Sequence, residues 1–248
     1  MFNSLPAVIS ASKVVSQSLA GELWEVPDTP HALDDEFENQ TIDPSWDSQY
    51  AIDYATPIDP YASLQQKVNL HTTHPSWMMT QGSVLFSKDY PGGLPTNCLI
   101  WARMRWNRDL SEANGESEIA LWFGASSGGL YDNANQIGVY ISEWYAGEYA
   151  EGYQRNGASF PRWGPNTVSM QNEGTAIEYV AVHKIGSTFH GWVMGNGGNR
   201  FYLGSSTFAG GGTLDRVGFT MSGAGSTPGS LCAGIDFFRV QETATFLP

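Results

Sequence analysis

The chain has 248 residues, among them 28 Gly, 12 Phe, 9 Trp and 11 Tyr, and carries a net charge of −13 from 25 acidic and 12 basic residues. That length suits one all-β domain, while so much glycine with few strong helix formers excludes a helical bundle or coiled coil, and 41% hydrophobic residues exclude wholesale disorder. The shortage of bases leaves no patch to neutralise phosphates, and no apolar run approaches the roughly 18 residues of a spanning helix, so neither a nucleic-acid partner nor membrane insertion is expected.

Residues 1–30 differ from the rest: they are rich in Ser, Ala and Val and end in a Pro-bounded segment, Pro27-Asp28-Thr29-Pro30. The stretch lacks a basic leader and is interrupted by Lys13, which makes it a poor signal peptide, so secretion by that route is not expected. Val8, Val14, Val15, Leu19 and Leu23 line one side of a short extended or helical arm. Such an arm either docks on a partner or is a frayed terminus.

From Leu33 onward, period-two runs alternate with Gly, Asn, Ser and Pro clusters, the pattern of a β-sandwich or barrel. Strands are predicted over 33–38, 49–54, 67–71, 83–87, 98–107, 117–125, 136–144, 148–155, 177–184, 188–194, 199–204, 215–222 and 232–241. The pair 182–184 and 188–190 across Ile185-Gly186-Ser187 reads as a hairpin. Cys98 and Cys232 are two thiols in a long chain, either buried small hydrophobes at strand starts or a bridge.

Parity then assigns faces. Ile137, Val139 and Ile141 point to the core and Tyr140 and Trp144 away from it; Ile100 and Ala102 point inward and Trp101, Arg103 and Arg105 outward. Ile119, Leu121 and Phe123 are inward and Glu118 and Trp122 outward. The next strand places Tyr149, Glu151, Tyr153 and Arg155 on one face, and the hairpin adds His190 and Trp192. If these strands share one sheet, its outer face combines flat aromatic rings with Arg and Glu. That mixture suits sugar rings and their hydroxyls. It also suits a subunit interface or ordinary cross-strand packing, and the three readings stay open.

Asp34-Asp35-Glu36-Phe37 followed by Ile42-Asp43-Pro44-Ser45-Trp46, and Gly234-Ile235-Asp236-Phe237-Phe238-Arg239-Val240 near the end, resemble motifs of the concanavalin A-like lectin/glucanase superfamily, in particular its laminin-G-like jelly rolls. The resemblance spans about residues 30–240. It implies a two-sheet antiparallel jelly-roll β-sandwich over 31–248 following the 1–30 arm, with segment 34–37 lying beside 235–240. The run 27–37 also resembles the start of such modules in bacteriophage structural proteins, where they sit on capsids, tails or fibres behind a docking arm.

Glucanases of that superfamily use an E-x-D-x-E strand; here Glu116-Ser117-Glu118 and Glu148-Tyr149-Ala150-Glu151 are incomplete matches, which leaves Glu118 and Glu151 as the suspects if the chain is a hydrolase. His71 and His74 lie by a proline without Cys or His partners, so zinc is not expected. The resemblance implies structural Ca²⁺ as the one candidate cofactor, with Asp34, Asp35 and Asp236 as ligands, unless these side chains cap a turn or pair with Arg239. The reading as a whole is a non-enzymatic virion structural protein, a capsid decoration or tail/fibre component. It would contact other virion proteins through its arm, assemble as a homo-oligomer, and hold a host polysaccharide. A carbohydrate-binding module and a divergent glycoside hydrolase are the alternatives.

Overall fold

A computed structural model describes residues 30–37, 43–51, 64–68, 75–79, 81–108, 116–126, 135–144, 147–157, 162–169, 177–195, 200–224 and 231–243. Within them run fourteen strands. They are β1 Asp47–Ala51, β2 Leu64–Val68, β3 Pro75–Met79, β4 Gln81–Asp89, β5 Asn97–Arg108, β6 Glu116–Gly124, β7 Asn135–Trp144, β8 Gly147–Asn156, β9 Arg162–Ser169, β10 Ile177–Ile185, β11 Thr188–Gly195, β12 Arg200–Thr207, β13 Arg216–Ala224 and β14 Leu231–Gln241. All pairings between them are antiparallel, in two seven-stranded sheets ordered β1-β4-β13-β6-β7-β8-β9 and β12-β11-β10-β5-β14-β3-β2. No helix occurs among the described residues. This is the expected jelly-roll sandwich.

The sandwich forms because each sheet contributes an alternating apolar face. Ile119, Leu121 and Phe123 of β6 and Ile137, Val139 and Ile141 of β7 meet Ile100 and Ala102 of β5, Val180 and Val182 of β10, and Phe189 and Val193 of β11 in one core. Each fully buried side chain of this size contributes roughly 1.5–3 kcal/mol. In β14 the register slips between Ile235 and Phe237, a bulge that sends Ile235 and Phe238 into this core and turns Phe237 outward.

The segment predicted as a strand over 33–38 is instead a turn with a single bridge, Asp35 to Phe238. Asp35 N–H donates to Phe238 O at 3.0 Å and Phe238 N–H returns to Asp35 O at 2.8 Å. The side chains prevent more pairing: Asp35 Oδ1 accepts from Phe37 N–H at 2.7 Å, and Phe37 takes a left-handed φ of 50°. The 34–37 segment nevertheless lies beside 235–240, as the resemblance implied. Two strands are absent from the prediction. β3 begins at Pro75, and β9 contains Gly164-Pro165, tolerated because β9 is an edge strand.

Cys98 is a free, buried thiol, its pKa pushed up to about 12 by burial. Cys232 pairs in register with Asn107, nine residues along β5 from Cys98, which is roughly 30 Å at the rise of a strand and excludes a bridge between them.

Asp35 is the hub of the first described segment. Its Oδ2 accepts from Trp46 Nε1 at 2.6 Å, and buried Lys88 stands 4.0 Å away, over the Trp46 ring at 4.4 Å. Trp46 in turn packs edge-on against Phe219 and Phe238, with ring centroids 5.1 and 5.3 Å apart. Asp35→Ala removes two charge-assisted hydrogen bonds and strands the Lys88 ammonium; the expected loss is about 2–4 kcal/mol in urea unfolding, and a loss below about 1 kcal/mol would refute the hub role.

Candidate functional site

The face predicted as one surface is two. β5, β10 and β11 belong to one sheet and β6, β7 and β8 to the other, so Trp101, Arg103, His190 and Trp192 point out of one side of the sandwich and Trp122, Tyr140, Tyr149, Tyr153 and Arg155 out of the opposite side. Parity within each strand is as predicted. The assumption of a common sheet is what fails, because the chain crosses between sheets after β5 and again after β9.

On the first side, Trp101, Tyr179, Phe237, Leu99, Ala181, Trp192 and Met194 form a buried cluster. Trp101 meets Phe237 edge-on at 5.0 Å, and Arg103 lies over Tyr179 at 5.6 Å while pairing with Glu178 at 3.5 Å. Trp101 and Tyr179 are wholly buried, so they act as packing rather than as a sugar platform. The row opens at the β12 edge, where exposed Tyr202 stacks near Trp192 and accepts or donates a hydrogen bond with His190 Nδ1 at 2.9 Å.

On the second side, Trp122 lies flat across its neighbours and is buried, with Nε1 donating to Thr220 Oγ1 at 3.1 Å. Its register partners are Gly218 and Gly138, and a Cβ on either would come within 2.3 and 2.1 Å of other atoms, Trp122 among them. The indole covers Gly218 and Gly124, while Gly138 makes room for the backbone of Leu121 and Trp122. Beside this floor, Glu151 of β8 faces Tyr140 of β7 across the ladder and has Tyr149 and Tyr153 two residues away on its own strand. Arg162 of β9 pairs with Glu151: Nη1 donates to Oε1 at 3.2 Å, and Nε stands 2.9 Å from Oε2 without hydrogen-bond alignment. The Glu151 side chain is 10% exposed and that of Arg162 64%. Tyr140, Tyr149 and Arg155 are half-buried; Tyr153 is buried, its hydroxyl 3.5 Å from Oε1 of buried Gln136.

This corner combines reachable aromatic edges with a pinned ion pair and several hydrogen-bonding groups. Sequence reading missed Arg162 and Gln136: Arg162 sits on the strand hidden by Gly164-Pro165, and Gln136 starts its strand as an unremarkable polar residue. Tyr179 and Phe237 were also missed; parity along β10 would have found Tyr179, but the β14 bulge hides Phe237.

The suspected catalytic pair is not assembled as in a retaining glycosidase. Glu118 lies on β6 and Glu151 on β8 with β7 between them, which puts the two backbones roughly 10 Å apart at ordinary strand spacing. Glu151 is also committed to Arg162. Of Glu118, Arg105, Trp144 and Asp236 only the backbone is described, and Val8, Val14, Val15, Leu19 and Leu23 of the arm, like His71 and His74, lie outside the described residues.

The proposed calcium ligands Asp34 and Asp35 do not fit a cation. All four of their oxygens accept N–H bonds: Asp34 from Val240 and His31, Asp35 from Phe37 and Trp46. Lys88 and Arg239 stand beside them, and Arg239 pairs with Glu36 and donates to Asp35 O. Burial pushes the Asp34 carboxyl above its ordinary range. Among the described residues no group of three or more His, Cys, Asp or Glu could hold a metal. The turn-capping and Arg239-pairing alternative is the arrangement found.

No protein-family model matches the chain, and no curated protein matches its sequence. Solved structures do. The exoplasmic/lumenal domain of VIP36, in a Ca²⁺/Man2-bound form, superposes with a TM-score of 0.54 at 13% identity, covering 83% of this chain and 84% of that one. A xylan β-1,4-xylosidase from Bacillus halodurans reaches 0.56 at 13% identity over 89% of this chain, which spans 41% of the enzyme. The CBM2 module of the evolved Dit protein of Lactobacillus casei BL23 phage J-1 gives 0.50 at 11% identity, over 84% of this chain and 94% of the module. The chain thus has the lectin-like, concanavalin A-like jelly-roll fold.

His183 and His190 face one another across the predicted hairpin. His183 is wholly buried, with Nε2 3.2 Å from Thr243 O, and burial lowers the pKa of both imidazoles. The unfolded chain therefore takes up protons near pH 6.5 while the folded chain resists, so stability is complete above 6.5 and falls as pH drops toward the lowered folded values. The melting temperature is expected to decline between pH 7 and pH 5, and less so in His183→Gln; equal declines would remove His183 as a cause.

Proposed function

We propose that the chain is a non-enzymatic carbohydrate-binding jelly roll and that the Tyr140–Tyr149–Glu151–Arg162 corner takes the glycan. The observation that carries this reading is a carboxylate paired with an arginine and bordered by three tyrosines, two of them half-buried. Aromatic rings pack on the apolar faces of sugars, and the fixed polar groups select hydroxyl positions. A carboxylate already paired with an arginine is not free to reach a scissile oxygen, which supports binding over hydrolysis. Similar folds in the Ca²⁺/Man2-bound VIP36 exoplasmic/lumenal domain and in a phage CBM2 module support the same reading at the level of fold.

Labelled protein on a glycan array is expected to bind at least one polysaccharide class. Tyr140→Ala and Tyr149→Ala should each weaken that binding about 5- to 10-fold, or about 1–1.4 kcal/mol. No binding by the wild-type chain would reject the proposal, and reducing-sugar release lost in Glu151→Gln would overturn its non-enzymatic half.

A second reading, that the module decorates a virion or its tail as a homo-oligomer docked by residues 1–30, is favoured by the phage Dit module, nearly all of which this chain covers. Deleting 1–30 should abolish co-purification with particles; undiminished incorporation of the truncated chain would defeat it.

A further inference from the structure

We infer that Asn156-Gly157, where β8 ends, is a site of spontaneous deamidation that the native fold leaves open. The reaction takes water as its co-reactant. The Gly157 backbone nitrogen gives up its proton and attacks the carbonyl carbon of the Asn156 side chain. A C–N bond forms there, and the side-chain amide nitrogen departs as ammonia, taking up a proton from solvent. Water then opens the cyclic imide to aspartate or to isoaspartate, and nothing is oxidised or reduced. Three observations carry the assignment.

The first is the residue pair itself. A side chain on the residue after asparagine obstructs the approach of its nitrogen, and glycine presents none. The chain holds three Asn-Gly pairs, of which 114–115 and 196–197 lie outside the described residues.

The second is the freedom of the group attacked. Asn156 is exposed, and among the described residues nothing hydrogen-bonds its carboxamide. Asn97 differs, because its Oδ1 accepts from Gly186 N–H at 3.3 Å and the residue after it, Cys98, is buried in the core. Asn135 is half-buried and precedes buried Gln136.

The third is the state of the attacking nitrogen. Asn156 forms the last rung of the β7–β8 ladder, opposite Asn135, so Gly157 stands just past it. Among the described residues its N–H makes no turn hydrogen bond, its φ is 60°, and nothing lies within 4 Å of the place a Cβ would occupy. An amide outside the ladder meets solvent and turns without first breaking a hydrogen bond, which a ladder amide cannot do. The product places a new carboxylate next to half-buried Arg155, and the isoaspartyl form adds a methylene to the backbone at that rung.

The test incubates the full chain, folded and in urea, at pH 8 and follows residue 156 by peptide mass after proteolysis in acid, which halts the reaction. The folded chain is expected to show the amide-to-acid mass gain at residue 156 less than about 10-fold more slowly than the unfolded chain, whereas Asn97 and Asn135 stay amides over the same interval. Asn156→Gln, which lengthens a side chain with no described partner, should lose the mass gain and melt as the wild type does. Slowing by about 10-fold or more on folding overturns the inference, because the native structure would then protect the site. A mass gain that persists in the Asn156→Gln peptide, or one as fast at Asn97 or Asn135, overturns it as well.

Discussion

Everything in this fold depends on the closure of two alternating faces over one apolar layer. Ile119, Leu121, Phe123, Ile137, Val139 and Ile141 from one sheet interlock with Ile100, Ala102, Val180, Val182, Phe189 and Val193 from the other, and because side chains alternate strictly, burying that layer dictates which residues turn outward. A slip of one residue in β7 would expose three aliphatic side chains and bury Tyr140. The outward positions of Trp101, Trp122, Tyr140, Glu151 and Trp192 are therefore consequences of the core.

Those outward residues have different fates on the two sides. On the sheet centred on β5, aromatic rings pack on one another and are buried, with Arg103 absorbed by Tyr179 and Glu178. On the sheet centred on β6, glycines at 124 and 218 let Trp122 lie flat, and β8 and β9 add an ion pair beside it. The same composition yields packing in one place and a candidate recognition corner in the other. What differs is how much polar chemistry is fixed at the rim.

The start of the described chain shows how a few polar contacts direct the apolar ones. Asp34 and Asp35 spend all four carboxylate oxygens on N–H groups of residues 31–46 and of Val240, which fastens this turn to β14 and seats Trp46 against Phe219 and Phe238. Acidic residues in such a cluster resemble a cation site in sequence. With Lys88 and Arg239 adjacent, they are anchors whose negative charge is already answered.

The sequence by itself determined the all-β class, twelve of the strand positions to within a few residues, and the inward and outward sets of β5 to β8 and β11; the meeting of 34–37 with 235–240 came only through the resemblance to a known family. Alternation and turn residues are local, so one strand's pattern reports its own faces without knowledge of its neighbours. Sheet membership is not local: nothing in β5 or β6 says that they lie in opposite layers, and only the tertiary structure separated Trp101 and Trp192 from Trp122 and Tyr149. The same holds for β9, whose Gly-Pro pair reads as a loop until an edge position makes it tolerable, and for the β14 bulge that turns Phe237 outward. The union of Arg162 with Glu151, between strands joined through a register shift, was decided by that packing alone, since a cross-strand ion pair depends on where two strands finally lie.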